Sequence, residues 1–131
     1  MIYGIGTDIV RIQRLADSLQ RYGERFASRI LADDEMEEFR IASRKSYFLA
    51  KRFAAKEALA KAVGTGFRDG LSLGDICVSH DELGKPFLLF SPRARQKLAD
   101  LGIGECHLSI SDEQDYAVAF VTLERATQES R

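Results

Sequence analysis

The chain has 131 residues, of which 45% are hydrophobic, and a formal net charge of -1 from 19 basic and 20 acidic side chains. This is enough for one domain with a real core, and it excludes a disordered tail. It also removes any bulk-charge argument for nucleic acid or membrane, so a charged partner must be read by a local patch.

Ile2 to Val10 reads as a strand, with Tyr3, Ile5, Thr7 and Ile9 on one face and Gly4, Gly6 and Asp8 on the other. Glycine weakens a strand unless something must come close. The pattern therefore suggests a cleared space in front of a carboxylate. The alternative is that Asp8 caps the next helix. That helix is expected over Val10 to Tyr22, with Ile12, Leu15, Ala16 and Leu19 buried, Arg11, Arg14 and Arg21 on another side, and Gly23 as its end. A short helix follows over about Glu24 to Leu31, with Arg25 and Arg29 one turn apart and Phe26 beside them. These arginines make a basic patch that is either a solvated face or a docking surface for an acidic partner. Asp33 or Asp34 can cap a third helix that turns Met36 and Phe39 inward, and Ala42 to Ser46 is a polar, basic break.

The central stretch, YFLAKRFAAKEALAKAVGTG, contains no helix breaker from Phe48 to Val63, has Ser46 as a candidate cap, and stops at Gly64. Leu49, Phe53, Glu57 and Lys61 fall in one row, while Phe48, Ala55, Leu59 and Ala62 form an apolar row suited to the core. Glu57 and Lys61 are either an ordinary i,i+4 pair worth about 0.2–0.5 kcal/mol, or a carboxylate for a divalent metal beside an ammonium for a phosphate. The segment FRDGLSLGD after Gly66 reads as loop.

The second half reads mainly as β. Asp75–Ser79 and Pro86–Phe90 form a hairpin turned at Gly84, and Ser91-Pro92 opens a helix that Gly102 closes. Cys106–Ser111 and Tyr116–Leu123 are strands joined by a turn at Asp112–Asp115. The fold class is α+β, a mainly antiparallel sheet with helices on one face. One domain is expected over residues 1–125, with residues 126–131 as a frayed tail. Cys77 and Cys106 have no metal-type spacing and are expected to be buried free thiols in a reducing cytoplasm. The start, MIYGIGTDIV, is too short and polar for a signal peptide, and no apolar run approaches a membrane span, so a cytoplasmic location is expected.

Four motifs in order, IGTDIV, RFAAKEALAKAVGTG, LGKP and SISDEQDYAVAFV, resemble the holo-[acyl-carrier-protein] synthases, the small phosphopantetheinyl transferases, over Met1 to about Arg125. The strand motif and the helix motif are specific only as a pair in this order and separation. The resemblance implies transfer of 4′-phosphopantetheine from coenzyme A to a serine of apo acyl carrier protein, with Mg²⁺. It implies Asp8 and Glu57 as metal ligands and Lys61 on a phosphate oxygen, with the space beside Asp8 admitting pyrophosphate and metal. Gly64, Thr65 and Gly66 would edge the nucleotide, and Gly84, Lys85 and Pro86 would flank the adenine. Arg44, Lys45 and Arg52 would be candidates for the remaining phosphates.

The resemblance further implies that Arg14, Arg21, Arg25 and Arg29 pair with the acids of the carrier, with Phe26 as apolar anchor. It also implies a homotrimer with sites between subunits, in keeping with the apolar strand Tyr116–Leu123. Asp112 stands where many relatives have a histidine; as an anion it cannot bind phosphate. His107 is out of register to replace it, and strand packing is expected for it. The proton acceptor stays open, with Glu57 acting directly or through a metal-bound water. A non-catalytic coenzyme A-binding regulator should lack one of Asp8, Glu57 and Lys61, and all three are present. A plain interaction domain leaves the two carboxylates unexplained. A P-loop is excluded, because GTGFRDG lacks the following Lys-Ser/Thr and succeeds a helix.

Overall fold

The computed structural model describes residues 1–127. The chain runs β1 (Ile2–Arg11), α1 (Ile12–Tyr22), α2 (Glu24–Ile30), α3 (Asp33–Ile41), α4 (Lys45–Val63), a 3₁₀ turn (Leu73–Asp75), β2 (Ile76–His80), β3 (Pro86–Phe90), α5 (Pro92–Asp100), β4 (Ile103–Asp112) and β5 (Tyr116–Arg125). This is the expected α+β class, all strand pairs being antiparallel, but the strands form two sheets. One is β1-β5-β4; the other is the β2-β3 hairpin, which lies beside β4 without a hydrogen-bonded ladder to it.

Several boundaries differ from expectation. Val10 and Arg11 continue β1 in place of opening α1, because their partners Ala117 and Tyr116 prolong the β5 ladder. Asp8 therefore caps nothing: the residue before α1 is Arg11, with no side-chain cap. Ser46 does not cap α4, which already begins at Lys45. Neither Asp33 nor Asp34 caps α3, since both lie inside its first turn. Glu35 does so instead, its Oε1 accepting from the Ala32 N–H at 2.9 Å. Arg125, the expected last residue of the domain, is in β5 and donates its N–H to Met1 O at 2.7 Å. The Ala126 N–H donates to Gly102 O at 2.8 Å, and residues 128–131 of the expected tail lie outside the described residues.

Helix α4 is the axis of the fold. It packs on β1, β5 and β4 with one side and on α1, α2, α3 and β2 with others. Leu49, Ala54, Ala55, Ala58, Leu59 and Ala62 are all buried, and the small residues let the sheet come close. Gly4 and Gly6 complete that approach. A Cβ on Gly4 would lie 2.1 Å from Ala62 O, and one on Gly6 would lie 2.0 Å from Ala58 O. The space the glycines clear is thus filled by a helix backbone, which corrects the expectation that it admits pyrophosphate and metal.

Lys56 and Arg52, which a helical wheel does not mark as core, are also buried, at 0% and 5% exposure. Lys56 Nζ donates to Ile30 O (2.7 Å), Glu35 Oε1 (2.6 Å) and Leu73 O (3.0 Å). Arg52 donates to Glu35 Oε2 (3.1 Å), to Val78 O (2.9 Å) and to both carboxylate oxygens of Glu38. Glu35 Oε2 also accepts the Val78 N–H at 2.9 Å. One buried carboxylate therefore ties α3, α4 and β2 together, while Lys56 reaches the end of α2 and the 3₁₀ turn.

Candidate active site

β1 and α4 bring three of the expected groups together at one open end of their seam. Asp8 follows the two glycines on the helix-facing side of β1, and Glu57 and Lys61 lie one turn apart on α4. Lys61 Nζ donates to Asp8 Oδ1 and to Thr7 O, each at 3.0 Å. The lysine is 54% exposed and the aspartate 16%, so the pair stands at a rim and is screened on one side. Burial pushes the Glu57 carboxyl above its usual range; Asp8 pushes the same way, while Lys61 and Arg14 oppose it. Glu57, whose charge burial and Asp8 both disfavour, has no ion pair of its own among the described residues, while the half-exposed ammonium of Lys61 pairs with Asp8, so the two carboxylates form an incompletely neutralised oxygen cluster.

Just beyond, Gly64 ends α4 at φ 96° and Gly66 turns the chain at φ 71°. Thr65 Oγ1 donates to Gly66 O at 3.3 Å. A separate cavity of about 240 Å³ is lined by Phe48, Lys51, Arg52, His80, Gly84, Pro86, Ile110 and Asp112. It gathers Arg52, Gly84 and Pro86 from the expected nucleotide contacts. It also adds Lys51 and His80, which sequence reasoning passed over: Lys51 sits among helix-forming residues and His80 at a strand end. Asp112 lies 3.9 Å from Lys51.

Other expected contacts are placed differently. Arg52 is committed to Glu35, Glu38 and Val78 O, which corrects its reading as a phosphate ligand. Lys45 Nζ donates to Arg40 O and Ala42 O at 3.0 and 2.9 Å, covering the end of α3. Arg44 stacks on Tyr47, 3.6 Å from the ring centroid. Lys85 is outside the cavity, its N–H donating to Asp81 Oδ1 at 2.9 Å.

In the arginine face, Arg14, Phe26 and Arg29 line one hollow of about 260 Å³ with Leu15, Ser18, Ile30, Phe53 and Leu73. Arg14 also stacks over Phe53, one turn before Glu57. Arg25 lines a different hollow beside Glu24, Met36 and Arg40, and Arg21 stacks on Tyr22. His107, expected to pack within its strand, is instead on the exposed sheet face and contacts Glu124 at 2.5 Å. Cys77 and Cys106 are unpaired and half-buried, with burial pushing the Cys106 thiol up to about 12. No helix among the described residues is long and apolar enough to cross a membrane.

The model of the 4′-phosphopantetheinyl transferase superfamily matches residues 4–121. A holo-[acyl-carrier-protein] synthase of Nitrosospira multiformis is 54% identical over 125 residues, covering 95% of this chain and 100% of its own. The crystal structure of the holo-[acyl-carrier-protein] synthase from Neisseria meningitidis superposes with a TM-score of 0.92 at 49% identity, covering 95% of this chain and 100% of that one. That of the Bacillus anthracis holo-(acyl-carrier-protein) synthase, in complex with CoA (3′,5′-ADP), gives 0.79 at 40% identity, covering 97% and 99%.

Proposed function

This chain belongs to the 4′-phosphopantetheinyl transferase superfamily, among the holo-[acyl-carrier-protein] synthases, and from that premise we propose that the Asp8–Glu57–Lys61 cluster is its reaction centre. The reaction moves 4′-phosphopantetheine from coenzyme A to a serine of apo acyl carrier protein. A bond forms from the serine oxygen to the β-phosphorus, the bridging bond to adenosine 3′,5′-bisphosphate breaks, and the serine proton is released. Such transfers depend on positioning and charge stabilisation and need no protein nucleophile.

The observation that carries the reading is the incompletely neutralised pair of carboxylates at the open seam, one turn from a half-exposed lysine. The donor set fits Mg²⁺, a hard cation that prefers carboxylate oxygen. Asp8 and Glu57 would hold it, and when bound it supplies electrostatic stabilisation of the pyrophosphate oxygens. Lys61 orients a phosphate oxygen, exchanging its contact with Thr7 O for the substrate. Gly64, Thr65 and Gly66 edge the nucleotide.

In the cavity beside β3, Phe48, Pro86 and Gly84 offer flat walls for the adenine, and Lys51 and His80 offer donors for a phosphate, with Arg44 just before α4 as a further candidate. Lys85 remains at the hairpin rim, and Lys45, the first residue of α4, holds the end of α3 beside Arg44 in sequence. The carrier docks on Arg14, Phe26 and Arg29, with Arg21 and Arg25 as flanking charges. Raising salt from about 50 to 500 mM should therefore raise the KM for the carrier more than that for coenzyme A.

Residues 1–125 act as one cytoplasmic domain in this reading, and the subunits assemble as a homotrimer. The support for assembly is the sheet face turned away from α4. There Ile5, Ile9, Val118 and Phe120 are 59, 63, 37 and 47% exposed, a contiguous apolar surface suited to self-association.

The test is the intact mass of apo acyl carrier protein incubated with the chain, coenzyme A and Mg²⁺. A gain of one phosphopantetheine, abolished by chelator and sharply reduced in Asp8→Asn and Glu57→Gln, is expected. A gain that survives both substitutions would remove the cluster from the chemistry.

A further inference from the structure

A second group of metal-type side chains sits on the opposite face of the three-stranded sheet from Asp8 and Glu57. Glu105 and His107 alternate outward on β4, and Glu124 stands outward on the neighbouring β5. Their ligand atoms all lie within 4.8 Å of one another. His107 Nε2 is 2.5 Å from Glu124 Oε2 and 3.7 Å from Glu105 Oε2.

The ladder sets two carboxylates side by side with one imidazole against both. Cys106 faces Leu123, so Glu105 and Glu124 occupy the adjoining positions on the two strands, next to the register shift between Ile103 and Cys106. Like charges placed across a strand pair destabilise it. A bulge at that point leaves the pair free to adjust, and bulges characteristically re-aim side chains beside sites. Among the described residues neither glutamate has a lysine or arginine within ion-pair reach; His107 is their shared partner, and the N-terminal amino group lies near Glu124. Among the described residues Glu105 thus has no ion-pair partner but an imidazole that already lies closer to Glu124.

We infer that Glu105, His107 and Glu124 form a site for a borderline divalent cation of the Zn²⁺ class, separate from the reaction centre. One imidazole nitrogen with two carboxylate oxygens is a Zn²⁺ donor set, at about 2.0–2.2 Å per bond, and leaves a fourth position to solvent. Mg²⁺ is disfavoured there, because it resists nitrogen ligands and keeps its water. The existing spacing requires only rotamer changes: the His107–Glu124 contact opens slightly and Glu105 closes. The site joins β4 to β5 at one end of the apolar sheet face, so an occupied site pins the strand pair there.

Zn²⁺ is titrated calorimetrically into the full chain with excess Mg²⁺ present to occupy the Asp8–Glu57 carboxylates. The wild type and Asp8→Asn should bind one Zn²⁺ per chain with equal affinity, and His107→Gln and Glu105→Gln should bind it at least about tenfold more weakly. Zn²⁺ should raise the melting temperature of the wild type and leave that of His107→Gln unmoved. Equal Zn²⁺ binding by wild type and His107→Gln, or loss of the binding in Asp8→Asn, would overturn the site. Activity plays no part in the readout, so the outcome is independent of the transferase reading.

Discussion

Helix α4 carries two acid–base clusters from adjacent residues, and they have opposite characters. Lys56 points into the protein, where its three protons meet three acceptors and its partner Glu35 is itself fully buried. Glu57, the next residue, stands at the β1 seam near Asp8, and the rim lysine there pairs with Asp8. Among the described residues no buried side-chain polar atom lacks a partner. The protein is thus able to satisfy charge where it needs to. The open cluster is left incompletely neutralised where Glu57, the one carboxylate that α4 itself carries, meets Asp8 at the seam. Satisfied charge on this helix holds architecture; unsatisfied charge is available for chemistry.

The contrast can be broken from either side. The largest effect is expected on the closed cluster. Lys56→Met leaves the Glu35 carboxylate buried with a donor missing and should cost about 3–5 kcal/mol in denaturant unfolding. A loss near zero would show that the buried charges are not coupled.

On the open cluster the signs reverse. Glu57→Gln and Asp8→Asn should lower turnover by about 10²–10³-fold, a size typical of losing one electrostatic contact to a reacting group. In Glu57→Gln thermal stability should hold or rise. The folded state raises the Glu57 carboxyl above its unfolded value, so its ionised form weighs against folding as pH climbs through the carboxylate range. The amide removes that penalty. A fall in melting temperature comparable to that of Lys56→Met would erase the distinction between the clusters.

The seam that holds Asp8 opposite Glu57 gives a third, smaller effect. Gly6→Ala drives a methyl into Ala58 O and should cost about 1–3 kcal/mol by overpacking. Because β1 must shift against α4, turnover should fall in the same variant while coenzyme A still binds.

The smallest effect concerns a charge outside both clusters, at the end of the 3₁₀ turn. Asp75 accepts from Arg93, Ser72 and Ser91, and the Arg93 guanidinium above all holds its carboxyl well below the usual range. That contribution is complete above the unfolded value near 4 and is lost as pH falls toward the folded value. Asp75→Asn should therefore lie slightly below the wild type in melting temperature between pH 5 and 8, and the gap should close under acid.

The sequence made local features legible because local chemistry determines them. Gly23 and Gly64 end helices, Gly84 turns the hairpin, and the Ser91 hydroxyl accepts from Ala94 N at the start of α5, all as read. The row that places Glu57 beside Lys61 was also legible, being a matter of helical period. What escaped was long-range. Glu35, Arg52 and Lys56 look like surface charges, because nothing within a turn of any of them announces its partners 17 and 21 residues away. Gly4 and Gly6 were rightly read as demanding close approach, but a strand pattern cannot say whether a ligand or a helix approaches. For His107 the sequence suggests core or strand packing, and the partner that holds it on the exposed face, Glu124, lies 17 residues away.

The glycine seam has one further consequence. Across most protein interiors, two elements are separated by side chains that can change rotamer, and their spacing drifts as those torsions hop. At Gly4 and Gly6 the strand backbone lies directly on the carbonyls of Ala62 and Ala58, so no rotatable bond intervenes. The spacing of the two backbones that carry Asp8 and Glu57 is therefore set by van der Waals contact, leaving only the torsions of the two side chains themselves, and warming the protein should leave that spacing almost unchanged until the strand itself detaches.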